Sequence, residues 1–150
     1  ESGGSSARGL ERVSDLLLAK PDVVVLAFGV NDVLGGVDPG ALYQNVAYIA
    51  AQLQQQRVYT ILMGIKPPRA LGSDYERRLQ EYYYAIAKNY GLSFYANALE
   101  GISENAKLTV ADGYRPNAQG VDIMVEGMYR LVDAGLRWRI SVIQYQNQSR

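Results

Sequence analysis

Three short polar clusters hold the side chains in this sequence that could do chemistry. They are Ser2-Gly3-Gly4-Ser5-Ser6, Gly29-Val30-Asn31-Asp32, and Asp112-Gly113-Tyr114-Arg115-Pro116-Asn117. What the chain lacks narrows the chemistry. It has no His, so the commonest general base near neutral pH and the commonest transition-metal ligand are both missing, and no metal site is expected. It has no Cys, which excludes thiol catalysis, disulfides and Cys-ligated metals. A guanidinium such as that of Arg115 stays protonated near neutral pH. It can pair with Asp112 or bind an anion, but it cannot take a proton from a nucleophile. Asp112-Gly113 is also a strong turn pair, Asn31 has an ordinary reading as a turn or cap residue, and Asp32 reads as a group that holds its loop together. Ser2, Ser5, Ser6 and Ser73 read as loop or cap residues, since none follows a strand.

The elements that must position these clusters are legible from the pattern. Leu10, Val13, Leu16 and Leu17 form an apolar stripe backed by Glu11, Arg12 and Asp15, a helix ended by Lys20-Pro21. Residues 22–28, DVVVLAF, form a short, almost unbroken β-branched run that predicts a strand buried on both faces of a parallel sheet. Residues 29–36 read as a turn. Asp38-Pro39 is an N-cap with Pro at the first helical position, opening a helix whose inner face is Leu42, Val46, Ile49, Ala50 and Leu53. A second strand is expected over 58–65. The spacing of Ser73 and Glu76 predicts a capping box at the head of a helix with inner face Leu79, Tyr83, Ile86 and Tyr90, ended by Gly91. A short third strand covers 92–95, and residues 98–111 read as loop with one helical turn. Asn117 caps a last helix with a stripe of Val121, Val125, Met128, Leu131 and Val132. Of the consecutive Tyr82, Tyr83 and Tyr84, one or two are expected in the core and the rest at its rim. Residues 140–150 read as a polar tail or a weak strand, which divides the chain into a domain over 1–139 and a tail over 140–150.

Strands alternating with helices imply an α/β domain with a parallel sheet. In such sheets functional groups gather in loops at the C-terminal ends of the strands. The first strand runs directly into Gly29-Val30-Asn31-Asp32. Lys plus Arg and Asp plus Glu number 15 each, so no basic footprint points to nucleic acid or an anionic membrane surface. No apolar run is long enough for a transmembrane helix. The chain does not begin with Met, so its N-terminus reads as processed or truncated. The absence of Cys suits an oxidising compartment, and a bacterial periplasmic or secreted location is the expected address.

The three clusters, in this order, resemble conserved blocks of the SGNH (GDSL-type) hydrolases, especially bacterial acyl-thioesterase/lysophospholipase and arylesterase members. Ser2-Gly3 with Gly9-Leu10 resembles the second block, GVND the G-x-N-D block, and DGYRPN the D-G-x-H-P-N block with Arg in place of His. The resemblance covers roughly residues 1–135. It implies a three-layer α/β/α, flavodoxin-like fold around a five-stranded parallel sheet in the order 2-1-3-4-5. It implies a serine esterase acting on small-molecule acyl esters or thioesters without a cofactor. Carried over residue by residue, Gly3 through its backbone N–H and Asn31 through its amide are oxyanion donors, and Asp112 is the acid that orients a histidine. Gly29 and Arg115 are the expected substrate-side residues.

Two features depart from that pattern. No Gly-Asp-Ser-Leu block occurs, and Arg115 replaces the expected base. The strands present match the last three of five, so the N-terminal strands are expected to be missing and strand 22–28 should expose an open edge. Three outcomes are open: an N-terminal segment fills that edge, a separate chain does so, or the protein forms a homodimer through Val23–Phe28, helped by the C-terminal stretch. Two functions follow: an esterase nearly inactive as the chain stands, or a non-catalytic binding or assembly module in which Arg115 holds an anion.

Overall fold

The computed structural model describes residues 4–148, so Gly3 and Ser2 lie outside the described residues. Three strands form one sheet in the order β1 (Val23–Leu26), β2 (Tyr59–Met63), β3 (Ser93–Tyr95). All pairings are parallel, with Val23 beside Tyr59 and Ile61 beside Ser93. Each strand falls inside its expected run. The crossovers are helical: α4 (Pro39–Gln55) joins β1 to β2, and α5 (Gly72–Tyr90) joins β2 to β3. β1 lies at one edge with no further strand beside it among the described residues.

The core sits between the sheet and the α4–α5 pair. Leu42, Val46, Ile49, Ala50 and Leu53 of α4 are all buried, as are Leu79, Tyr83 and Ile86 of α5, so the 3.6-residue pattern named both inner faces. Asp38 caps α4 by accepting from the Gly40 N–H at 2.8 Å. Gly91 ends α5 in the left-handed conformation, φ 64°, which a side chain would disfavour. Tyr83 is core, whereas Tyr84 is exposed.

Four local expectations are corrected. The first helix is broken at Arg12 into α1 (Ser6–Glu11) and α2 (Val13–Leu18). The turn after β1 contains a short helix, α3 (Val30–Leu34). The capping box at Ser73 does not form. The chain enters α5 from a 3₁₀ turn over Arg69–Leu71, so Ser73 and Glu76 already lie inside the helix. Residues 140–148 are neither tail nor strand. They continue α6 (Ala118–Gln148) without interruption, because no Pro or Gly follows Gly135 to stop it.

Among the described residues α6 is the one long helix on its face of the sheet, and its inner face also differs from the expectation. Val121 and Val125 are exposed. The helix meets the sheet through glycines instead. A Cβ on Gly127 would lie 2.2 Å from the Tyr95 hydroxyl, and one on Gly135 would lie 2.5 Å from the Tyr59 ring. A helix seated this closely on aromatic rings rotates its bulky stripe to the flank, and glycine adds nothing to an apolar count. Trp138 packs on Tyr59 with ring centroids 5.6 Å apart, and Arg139 pairs with Asp22 at 2.5 Å, which fixes α6 against the start of β1.

Gly135→Ala should therefore destabilise the fold by about 1–3 kcal/mol through overpacking. Thermal or denaturant unfolding measures it. Gly36→Ala, where no atom lies within 4 Å but φ is 69°, should show only the smaller cost of a left-handed alanine, about 1 kcal/mol. Equal losses at the two positions would mean that α6 does not pack on Tyr59.

Candidate active site

The site is built around the C-terminal end of β1. After Leu26 the chain passes through Ala27 and Phe28 to Gly29, whose φ of 125° is closed to most side chains. A Cβ there would lie 2.0 Å from the Tyr83 hydroxyl, which donates to the Phe28 carbonyl at 2.7 Å. Gly29 is thus required for the close approach of Tyr83, and its neighbours Phe28, Val30 and Asn31 form the wall of the cleft. α3 begins at Val30, which places Asn31 and Asp32 in its first turn.

Adjacent in sequence, these two side chains do different work. Asp32 is buried, 1% exposed. Its carboxylate accepts from the Ser6 backbone N–H at 3.0 Å to each oxygen and from the Ser6 hydroxyl at 2.5 Å. The Asn45 amide of α4 donates to the same hydroxyl at 3.0 Å. A buried carboxylate is tolerable only with such donors. The Asn31 amide faces the cleft and donates to the Gly4 carbonyl at 3.4 Å. The N-terminal loop and the loop after β1, twenty-six residues apart at Ser6 and Asp32, are therefore joined at their backs while Asn31 faces the open side. Asp32 holds its loop, as its sequence reading supposed.

The second loop arrives from the far end of the chain. Thr109 and Pro116 form an isolated antiparallel bridge, and Asn117 closes the loop and caps α6 by accepting from Gly120 N–H at 3.1 Å. Buried Tyr114 anchors the loop through its hydroxyl, which donates to the Lys66 carbonyl beyond β2. Burial raises the pKa of Tyr114 and, with help from the nearby Asp32 charge, that of Tyr83. Both phenols therefore stay neutral donors.

Asp112 accepts from the Tyr114 and Arg115 backbone N–H groups, both at 2.9 Å, and from Arg115 Nε at 2.5 Å. The Tyr114 backbone bond foremost, then the Arg115 side chain and backbone, hold its pKa down at about 2. Arg115 lines the cleft, and Asp112 is not among the lining residues. The cleft is about 1020 Å³. Phe28, Met63, Ile65, Leu99 and Met124 supply its apolar walls, and Asn31, Arg115, Arg8 and Arg12 its polar rim. The structure thus brings Asn31 and Arg115 to one cleft, whereas Gly3 lies outside the described residues.

No serine among the described residues follows the end of a strand. Ser5 caps α1 by accepting from Arg8 N–H at 3.4 Å, Ser6 is bonded to Asp32, and Ser73 is inside α5. No group of three or more potential metal ligands occurs among the described residues. No helix there is long and apolar enough to cross a membrane. Sequence reasoning missed Tyr83, Tyr114 and Asn45 as supports of the site. Their only signals were an apolar position for Tyr83 and a place inside a polar cluster for Tyr114.

The profile of the GDSL-like lipase/acylhydrolase family matches residues 1–123. The chain is 32% identical to Esterase TesA of Pseudomonas aeruginosa over 129 residues, 85% of this chain and 64% of that protein. It is 26% identical to Thioesterase 1/protease 1/lysophospholipase L1 of Escherichia coli K12, covering 85% of this chain and 62% of that protein. It therefore spans less than two thirds of the length of these curated relatives. Among solved structures, a crystal structure of TesA superposes with a TM-score of 0.83 at 30% identity, covering 89% of this chain and 75% of that one. The SGNH-hydrolase family esterase AlinE4 superposes with a TM-score of 0.69 at 30% identity, covering 90% and 73%.

Asp32→Ala should destabilise the protein by about 3 kcal/mol, since it strips a buried set of charge-assisted bonds and orphans the Ser6 donors. Chemical denaturation reads this, and an effect within 0.5 kcal/mol of zero, the range of an ordinary surface change, would refute the link. Asp112 supplies a pH test. Its folded pKa of about 2 lies below the unfolded value of ~3.9, so its contribution to stability is present above about pH 4 and is lost as pH falls toward 2. A carboxyl-carbon NMR titration should place its midpoint near 2. Arg115→Gln should raise the midpoint only partway to the ordinary value, because the backbone donors remain.

Proposed function

The chain belongs to the GDSL-like lipase/acylhydrolase family, and on that premise we propose that it carries the charge-stabilising part of a serine acyl-hydrolase site for acyl esters or thioesters. The observation that carries the reading is the contact between the Asn31 amide and the Gly4 carbonyl at the mouth of the cleft. It sets Asn31 beside Gly4, the residue that follows Gly3 in the sequence. In this reading the Gly3 N–H and the Asn31 amide receive the negative charge that develops on the substrate carbonyl oxygen, each such donor being worth about 2.7–4 kcal/mol of transition-state stabilisation. The nucleophilic serine comes from a strand laid along the open edge of β1, whose C-terminal end would bring it to the same cleft. Its attack on the acyl carbon would expel the alcohol or thiol and leave an acyl-enzyme for water to hydrolyse.

Asp112 is the acid of that site, and Arg115 stands where the proton acceptor belongs. A guanidinium accepts no proton, so turnover by the chain as it stands is limited to what an oxyanion hole and binding supply, about 10³–10⁴-fold over water. The fixed Arg115–Asp112 pair at the cleft wall also supports a second reading: a non-catalytic module in which Arg115 holds a carboxylate or phosphate.

The decisive experiment restores a Gly-Asp-Ser-Leu strand ahead of Glu1 and replaces Arg115→His. Hydrolysis of a p-nitrophenyl ester should rise at least ~10²-fold over the same chain with Arg115, as general-base catalysis contributes ~10²–10⁴-fold. Adding Asn31→Ala should lower kcat by ~10²–10³-fold. No recovery, together with phosphate or acetate binding that is lost in Arg115→Ala of the original chain, would replace the hydrolase reading with the binding one. The 150-residue chain itself should form no fluorophosphonate adduct on Ser2, Ser5 or Ser6.

A further inference from the structure

The three backbone carbonyls that follow β2 are each held by a different element. The Gly64 carbonyl accepts from the Ala98 N–H at 2.8 Å, in the loop after β3. The Ile65 carbonyl accepts from the Gln80 amide of α5 at 2.7 Å. The Lys66 carbonyl accepts from the Tyr114 hydroxyl. Pro67 and Pro68 come next. They carry no N–H and cannot anchor the segment by donating, so its position is set by these donors from outside.

What the donors hold in place is Ile65. Its side chain is buried and comes within 3.2 Å of where a Cβ on Gly29 would stand, two residues from Asn31. It lines the cleft, and Met63, Ala98 and Leu99 continue that lining. All four are buried and none carries a charge. The charged lining residues Arg8, Arg12, Asp15 and Arg115 come instead from the chain before β1 and the loop before α6. The hydrocarbon end of the cleft therefore lies at the ends of β2 and β3. β2 is the middle strand, so β1 itself separates Ile65 from a segment laid along the open edge.

We propose that Gln80 is a positioning residue for the acyl group: its amide, by holding the Ile65 carbonyl, fixes the Ile65 side chain as the wall against which the acyl chain packs. This rests on the hydrolase reading of the cleft. Gln80 is half-buried on α5 and is not among the residues that line the cleft, so it acts through Ile65. An amide that only satisfied a carbonyl would, when removed, cost every substrate alike. An amide that positions a wall changes how the site discriminates by acyl length, because an acetyl group has too little chain to use the wall.

The test uses the chain restored with a Gly-Asp-Ser-Leu strand and Arg115→His, with p-nitrophenyl acetate and p-nitrophenyl hexanoate as substrates and a thermal melt to show that each variant is folded. Gln80→Leu keeps the bulk and removes the donor. It should raise KM for the hexanoate about tenfold and move kcat by less than about threefold. Gln80→Lys keeps a donor of similar reach and should return the hexanoate-to-acetate preference to near that of the parent. Binding of sodium hexanoate to the 150-residue chain, followed at the Ile65 δ-methyl by carbon NMR, reads the same wall without turnover. The methyl should shift saturably with hexanoate and not with acetate, about tenfold more weakly in Gln80→Leu, with recovery in Gln80→Lys. If the restored parent hydrolyses neither ester while the methyl behaves in this way, the hydrolase reading fails and the role of Gln80 stands. A preference unmoved by Gln80→Leu, an equal loss on both esters, no recovery in Gln80→Lys, or an Ile65 methyl indifferent to hexanoate would each overturn the proposal.

Discussion

A carboxylate buried between two loops is the constraint on which the site geometry rests. Asp32 cannot be left unpaired in the interior, so it collects the Ser6 backbone N–H and the Ser6 hydroxyl, and Asn45 completes the set from α4. These bonds cross the chain from the first described turn to the end of β1. They fix α1 over α4 and leave Asn31, the neighbouring residue, on the cleft side. A helical turn separates the two: adjacent residues on α3 point about 100° apart, so one faces inward to hold the loops and the other faces the cleft.

Phenolic hydroxyls finish the frame. Tyr83 rises from α5 beneath Gly29, and Tyr114 reaches back to the carbonyl of Lys66. Each satisfies a loop carbonyl that lies outside the sheet ladder, and each brings a bulky ring into the core, so one residue contributes packing and polar satisfaction together. The three loops of the site are thereby held by side chains from elements on both sides of the cleft. Such support outside the reacting groups lets a site hold its geometry without a metal or disulfide.

Arg115 changes the electrostatics of this frame more than its shape. The loop from Asp112 to Asn117 keeps its bridge, its Tyr114 anchor and its Asn117 cap. What differs from the family pattern is a permanent cation against Asp112 at the cleft wall, where a titrating base is expected. The acid is consequently held as an anion far below neutral pH. A permanent charge pair can bind and orient, but it cannot shuttle a proton, and that single chemical difference divides the two readings of the protein.

Local periodicity determined the three parallel strands, the inner faces of α4 and α5, and the Asp38, Gly91 and Asn117 caps, because each depends on residues within a few turns of one another. The GVND and DGYRPN clusters were legible as polar segments beside strand and helix ends for the same reason, and the structure brings residues of both to one cleft. Only the tertiary structure decided the rest. Gly127 and Gly135 let α6 settle on Tyr95 and Tyr59 and turned Val121 and Val125 outward, a choice that depends on what the helix meets and not on its own pattern. Residues 140–148 are helical because a helix already anchored by Trp138 and Arg139 continues until something stops it. The partnership of Asp32 with Ser6, and of Tyr83 with Gly29, joins positions distant in sequence. Such contacts leave no periodic trace, since hydrogen bonding and close approach are properties of the folded surface and not of the spacing along the chain.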